Sequence, residues 1–150
     1  MCEPEGKMTF VCPFCGQKLS FLDGTIIKMV GRLHSERFSC KTMFYIPATL
    51  GQYGAIVGEG VRLKEGAKVE FECINGACKE NFTCAYDDNL AEIKGVDEGG
   101  REYVVVFNKI YGRRSTFLVD LKKKSLVKSY GEHASEHVPD FDKPLTFFGD

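Results

Sequence analysis

Of the residues in this 150-residue chain, the seven cysteines are best suited to chemistry, and four of them fall in two short clusters. Cys12 and Cys15 have two residues between them in "FVCPFCGQKL", and Cys73 and Cys78 have four in "CINGAC". The first pair reads either as a thiol redox pair or as half of a metal site. A redox pair of this spacing needs its first cysteine at a helix N-terminus within a βαβ fold, where the helix dipole lowers the thiol pKa. After Cys15 the chain runs "GQKLSFLDGTIIKM", with Gly16 where the helix would start and Asp23 and Gly24 where it would break. The metal reading gains the context that the redox reading loses. A tetrahedral thiolate site needs four sulfurs about 2.3 Å from one ion, and two short turns meeting across it supply them. Pro13 stiffens the first bend, Gly16 can take positive φ, and "NG" at 75–76 provides the second turn.

The two clusters resemble the knuckles of the zinc-ribbon family, which take a C-P-x-C-G form and, in topoisomerase-type fingers, a C-P-N-x-x-C form. Ile74 and Lys79 stand where the second knuckle usually has proline and glycine. The resemblance implies Cys12, Cys15, Cys73 and Cys78 as ligands of one structural zinc ion held between β-hairpins. A fainter likeness, through "NLAE" at 89–92, is to small bacterial zinc-ribbon proteins, and it implies no activity. From Gly16 to Glu72 the knuckles are 57 residues apart, more than a typical ribbon has. Closing a longer loop costs only about 0.6 kcal/mol per doubling. Structural zinc contributes on the order of 10–16 kcal/mol in small fingers, so the insertion is tolerable.

The elements that must position these cysteines read as strands. The chain has 16 Gly, no Trp, and short apolar runs separated by turn residues, which favours β structure over helix. "GTIIKMVGR" and "RFSCKTMFYIP" read as strands, with Phe38, Cys40, Thr42, Phe44 and Ile46 on one face. "VRLKEGAKVEFEC" reads as a hairpin turning at 64–67, and "DDNLAEIKGVDEGG" holds the one plausible helical turn in its half. "REYVVVFNKIY", "STFLVDL" and "SLVKSY" form a meander. No internal repeat is visible. The expected fold is mainly β: a zinc ribbon with an inserted strand pair and a C-terminal β-meander. The expected organisation is a single domain over 1–150, with knuckles at 10–19 and 69–84, an inserted β segment at 21–66, a meander at 101–130 and a tail at 131–150.

The remaining candidates weigh less. Cys84 is expected as a core thiol on a strand, sharing a face with Phe82 and Tyr86, and Cys40 as another beside Phe38 and Phe44. Cys2 is near a free terminus. His34, in "GRLHSER", is placed in a turn. His133 and His137, four apart in "GEHASEH", are the place to look for a second metal, although they lack the H-E-x-x-H order of metalloproteases. Lys109, Arg113, Arg114, Lys122, Lys123, Lys124 and Lys128 are interleaved with Tyr111 and Phe117 and offer a nucleic-acid edge. The favoured reading, because the rest of the chain is acidic enough to cancel this charge, is that "GRR" and "KKK" are solvated hairpin turns.

With 20 basic and 21 acidic residues, a formal net charge of -1 gives no global drive toward nucleic acid or membrane. No secretory signal and no membrane-spanning run is visible, so a soluble, cytoplasmic protein is expected. An odd cysteine count with short spacings suits a reducing compartment. A closed four-thiolate zinc has no open position at which to activate water, so catalysis by the metal is not expected. The leading expectation is a non-enzymatic zinc-binding accessory or regulatory subunit acting through a protein partner or homo-oligomer, with "LTFF" and "ATLGQYGAIV" as apolar segments that could cover a partner. The alternatives are nucleic-acid binding and thiol redox or oxidant sensing.

Overall fold

The structure, a computed structural model, describes residues 7–34, 39–50, 56–58, 64, 66–78, 80–84, 87–111, 115–123 and 125–131. Ten strands account for its regular structure: β1 (Thr9–Val11), β2 (Ser20–Phe21), β3 (Ile26–His34), β4 (Ser39–Pro47), β5 (Val69–Glu72), β6 (Thr83–Cys84), β7 (Asp87–Val96), β8 (Glu102–Asn108), β9 (Thr116–Asp120) and β10 (Ser125–Tyr130). All pairings between them are antiparallel, so the fold is mainly β. Among the described residues no helix is long and apolar enough to cross a membrane.

The strands form two sheets. In the six-stranded sheet, β7 carries β1 and β6 along one edge and β8 along the other, and β9 and β10 follow in order. In the four-stranded sheet, β3 carries β2 and β5 along one edge and β4 along the other. The two cysteine clusters lie at the tips of hairpins that belong to both sheets. The chain enters the first tip from β1 in one sheet and leaves through β2 in the other, and the second tip is entered from β5 and left through β6.

Backbone hydrogen bonds reveal a repeat that the residue types conceal. Leu19 N–H donates to Phe10 C=O at 2.8 Å, and Phe82 N–H to Phe71 C=O at 2.9 Å. Cys12 N–H reaches Gln17 C=O and Cys73 N–H reaches Glu80 C=O, while Lys28 N–H reaches Leu19 C=O and Glu92 N–H reaches Phe82 C=O. The same register recurs between halves, with Phe10 opposite Gly95 and Phe71 opposite Gly31. Each half thus lends its first strand to the other half's long strand. The two runs β1 to β4 and β5 to β8 are one arrangement used twice.

The main core lies between the sheets, where Phe10, Leu19, Ile27, Met29, Phe44, Val69, Phe71, Phe82, Ile93, Tyr103, Val105 and Leu118 are buried together. Phe44 and Phe71 meet edge to face at 5.3 Å between ring centroids, a contact worth about 0.5–1.5 kcal/mol beyond its buried area. A second cluster of Cys84, Leu90, Val104, Val106, Phe117 and Val119 occupies the other face of the six-stranded sheet. Burial on both faces explains why "YVVVF" and "TFLV" read as continuous apolar runs rather than alternating ones.

Three readings change. "DDNLAEIKGVDEGG" contributes β7, not a helical turn, because hydrogen bonding along both edges outweighs the helix preference of "NLAE". His34 ends β3 opposite Ser39, not in a turn. Phe82 and Cys84 do not share a face: a register shift between Thr83 and Cys84 sends Phe82 into the inter-sheet core and Cys84 into the second cluster. The hairpin read over "VRLKEGAKVEFEC" lies partly outside the described residues, and its β5 portion pairs with β3.

Gly31 and Gly95 are equivalent positions with different surroundings. A Cβ on Gly31 would strike the Phe44 ring and come within 3.0 Å of Val69, whereas one on Gly95 would meet the flexible end of Met8. Gly31→Ala is expected to destabilise by about 1–3 kcal/mol and Gly95→Ala by clearly less. Paired urea titrations check this, and equal losses would contradict the asymmetry.

Candidate metal centre

Each tip is built so that its sulfurs collect N–H groups. In the first, Gly16 N–H donates to Cys12 C=O at 2.9 Å, and Gly16 takes φ 77°, a value that side chains rarely adopt. This turn aims Phe14 N–H at Cys12 Sγ, 3.4 Å away. In the second tip Asn75 N–H approaches Cys73 Sγ at the same 3.4 Å. The turn there is closed by Cys78 N–H donating to Asn75 C=O at 3.0 Å, while Asn75 Oδ1 accepts from Ala77 N–H at 2.9 Å. Gly76 does not take positive φ, so "NG" is not a primed hairpin turn; Asn75 opens the bend through its side chain. Asn75 Nδ2 also lies 3.9 Å from Cys15 Sγ, a link between tips that residue spacing alone does not suggest.

The four thiols converge. The Sγ atoms of Cys12, Cys15, Cys73 and Cys78 lie within 4.8 Å of one another, with Cys12 to Cys78 at 3.9 Å and Cys15 to Cys73 at 3.6 Å. Sulfurs at the corners of a tetrahedron about 2.3 Å from its centre are about 3.8 Å apart, and the two cross-tip distances bracket that value. A disulfide would need about 2.05 Å, and all four cysteines are free thiols. Cys12 and Cys73 are buried, Cys78 is half-buried and Cys15 is exposed. Burial pushes the Cys12 and Cys73 thiols up, whereas the Gln17 N–H lowers Cys15 to about 7. Four converging sulfurs match the donor set of a thiophilic cation.

The other candidates lie apart. Cys84 is buried and outside the group, and its Sγ donates to the buried Glu92 Oε1 at 2.6 Å. The side chains of His34 and Cys40, and all of Cys2, Arg113, Arg114, Lys124, His133 and His137, lie outside the described residues. Lys122 and Lys123 are exposed in the β9–β10 turn, and the Lys128 ammonium sits 5.2 Å from the centre of the Tyr130 ring. Lys109 does not belong to a nucleic-acid edge, because it is 1% exposed and its ammonium is held inside the protein. Its Nζ lies 2.6 Å from Glu70 Oε2 and 2.6 Å from Thr83 Oγ1.

No family model, curated protein or solved structure matches the chain. The site is therefore read from its own geometry.

The Lys109 pair generates a stability prediction. Burial pushes the Glu70 carboxyl up, but the Lys109 ammonium and the Thr83 hydroxyl outweigh it, leaving it below its ordinary value of 4.5. A carboxyl lowered by folding stabilises the protein above its unfolded pKa and loses that contribution as pH falls through the folded value. Lys109→Ala is expected to cost about 3 kcal/mol, the lower end for stranding one member of a buried pair, since Glu70 keeps 24% of its side-chain surface exposed. Urea midpoints at pH 7 and below pH 4 check both claims. The variant and wild type should converge in acid.

Proposed function

We propose that this protein is a non-catalytic zinc-binding protein whose ion, held by Cys12, Cys15, Cys73 and Cys78 in the manner of a zinc ribbon, joins its two sheets. The observation that carries this reading is the convergence within 4.8 Å of four sulfurs, two cross-tip pairs of them at 3.6 and 3.9 Å, drawn from two hairpins that each cross between the sheets. Zinc suits the group because it favours four-coordinate thiolate sites and has no redox chemistry of its own. When bound, it supplies cross-linking and charge neutralisation; the chain's own N–H groups at Phe14, Asn75 and Gln17 orient the thiolates. With four protein ligands the ion offers no place for a substrate.

A protein with a closed site of this kind acts through its surface, so we assign it the role of an accessory or regulatory subunit. Support comes from the large apolar side chains left in solvent, with Phe14 45%, Phe21 44%, Leu22 57% and Ile56 67% exposed. Co-purification from its native cells should recover a protein partner or a homo-oligomer. A stable monomer without partners would remove the subunit role and leave the metal site standing.

Elemental analysis should find one zinc per chain. Cys12→Ser and Cys73→Ser are expected to lose most of it and to melt early, whereas Cys84→Ser should retain full stoichiometry. Acid should release the ion, because protons compete for the thiolates. Full zinc content in Cys73→Ser, or iron in place of zinc, would refute the assignment.

Exposure of Cys15 favours a second reading, oxidant-triggered release. The Cys15 and Cys73 thiolates would lose two electrons to hydrogen peroxide, which with two protons from solvent becomes two waters as one disulfide forms, and the ion, left with two sulfur ligands, would leave. A zinc-binding dye should then report release in step with a 2 Da mass loss, an order-of-magnitude check on one disulfide. Thiols that stay reduced in peroxide would remove this reading.

A further inference from the structure

The repeat exposes a difference between the two halves that points to a ligand site. In the second half, Lys109 follows β8, and its N–H donates to Asn89 C=O at 2.8 Å. In the first half, the equivalent bond runs from Ala48 N–H to Thr25 C=O at 2.9 Å, so Ala48 occupies the place of Lys109. The residues around each place also correspond. Glu70 and Thr83 hold the Lys109 ammonium and Asn81 donates to Glu70, and Thr9, Ser20 and Lys18 stand at their counterparts. One half holds a cation among oxygen acceptors. The other has alanine in place of the lysine, a hydroxyl in place of the carboxylate and a lysine in place of the asparagine.

What remains in the first half is an open cleft of about 380 Å³ between β1 and the β2–β3 turn, lined by Lys7, Thr9, Lys18, Ser20, Phe21 and Asp23 among others. Its volume is within the range of small-molecule sites. Lys7 Nζ donates to Asp23 C=O at 3.1 Å and so is held at the rim. No described residue forms an ion pair with Lys18. Ser20 Oγ accepts the Phe10 N–H at 2.8 Å, which leaves its own proton to donate. Two ammoniums and two hydroxyls in one cleft suit an anion, and Phe21 and Leu22 offer an apolar wall. Asp23 also lines the cleft, and its C=O, which accepts from Lys7, keeps a second lone pair that suits a hydroxyl or amino donor carried beside the ligand's anionic group.

We propose that the cleft between β1 and the β2–β3 turn binds a small phosphate ester bearing hydroxyl or amino donors, its phosphate held by Lys7, Lys18 and the Ser20 hydroxyl. The site does not depend on the identity of the metal, which lies at the other end of the first hairpin.

The test is an amide-resolved NMR titration of the zinc-loaded full chain with adenosine monophosphate, inorganic phosphate and adenosine. Adenosine monophosphate should shift the amides at 7–9 and 18–24 saturably, and Lys7→Gln/Lys18→Gln should weaken binding at least about tenfold, the scale of one lost charge-assisted contact. Inorganic phosphate should shift a subset of the same amides. Adenosine binding as tightly as its monophosphate, an unchanged affinity in the double variant, or the absence of saturable shifts in the cleft would overturn the proposal. A second variant, Thr9→Glu/Ala48→Lys, sets the other half's ion pair at the equivalent positions, with its carboxylate on the cleft-lining residue 9, and should abolish binding while zinc content stays at one per chain. Retained binding in that variant, with the chain folded, would also overturn it. An unsubstituted chain that takes up no zinc yet shows the saturable cleft shifts would sink the metal reading and leave this one.

Discussion

Four sulfur atoms within 4.8 Å of one another are a constraint as much as a site. Thiolates at that spacing repel unless a cation lies among them, and thiols at that spacing have few partners but each other. The two hairpins that deliver them are each shared between the sheets, so whatever happens at the tips is transmitted to both. An ion at this point fixes where β1 leaves one sheet and β2 joins the other, and does the same for β5 and β6. On the order of 10–16 kcal/mol of metal binding is comparable with the entire net stability of an ordinary domain, about 5–15 kcal/mol. With an ion bound there, the connection between the sheets would depend more on the tips than on any single core contact.

Away from the tips the fold is held by reciprocal exchange of strands. β1 completes the sheet of the second half and β5 completes the sheet of the first, each placing a phenylalanine opposite a glycine. The glycines let neighbouring side chains approach closely, Phe44 and Val69 at Gly31 and Met8 at Gly95. Such an arrangement can tolerate large divergence in residue type, because backbone hydrogen bonds do not depend on side-chain identity. It also gives each half an internal control, and the contrast between Lys109 and Ala48 is visible only because the surrounding bonds match. A buried ammonium with a carboxylate and a hydroxyl satisfies one cleft, while the other opens to solvent beside exposed Phe21 and Leu22.

Legibility from sequence followed the range of the interactions. The tips were legible because a short cysteine turn is a local motif: Cys12, Cys15 and Gly16 lie within five residues, and the positive φ of Gly16 is favoured by that residue type. Long strands such as β3, β4, β8 and β9 were legible for the same reason, since β-branched and aromatic runs carry their own signal. β7 was not, because "DNLAE" prefers helix in isolation and becomes strand only where β6 and β8 hydrogen-bond along its two edges. The face of Cys84 was also hidden, as one register shift reverses the alternation on which such readings depend. Lys109 looked like one more surface lysine because its partner Glu70 lies 39 residues away.

The sequence by itself determined the mainly β character and the two short cysteine turns, both consequences of local propensity and of residue types with narrow conformational choices. Tertiary structure decided that the four thiols meet, that the hairpins cross between sheets, that the chain repeats one arrangement, and that one cleft is filled while the other is open. These depend on pairings between distant segments, whose energies come from backbone hydrogen bonds and shared burial and leave no periodic trace along the chain.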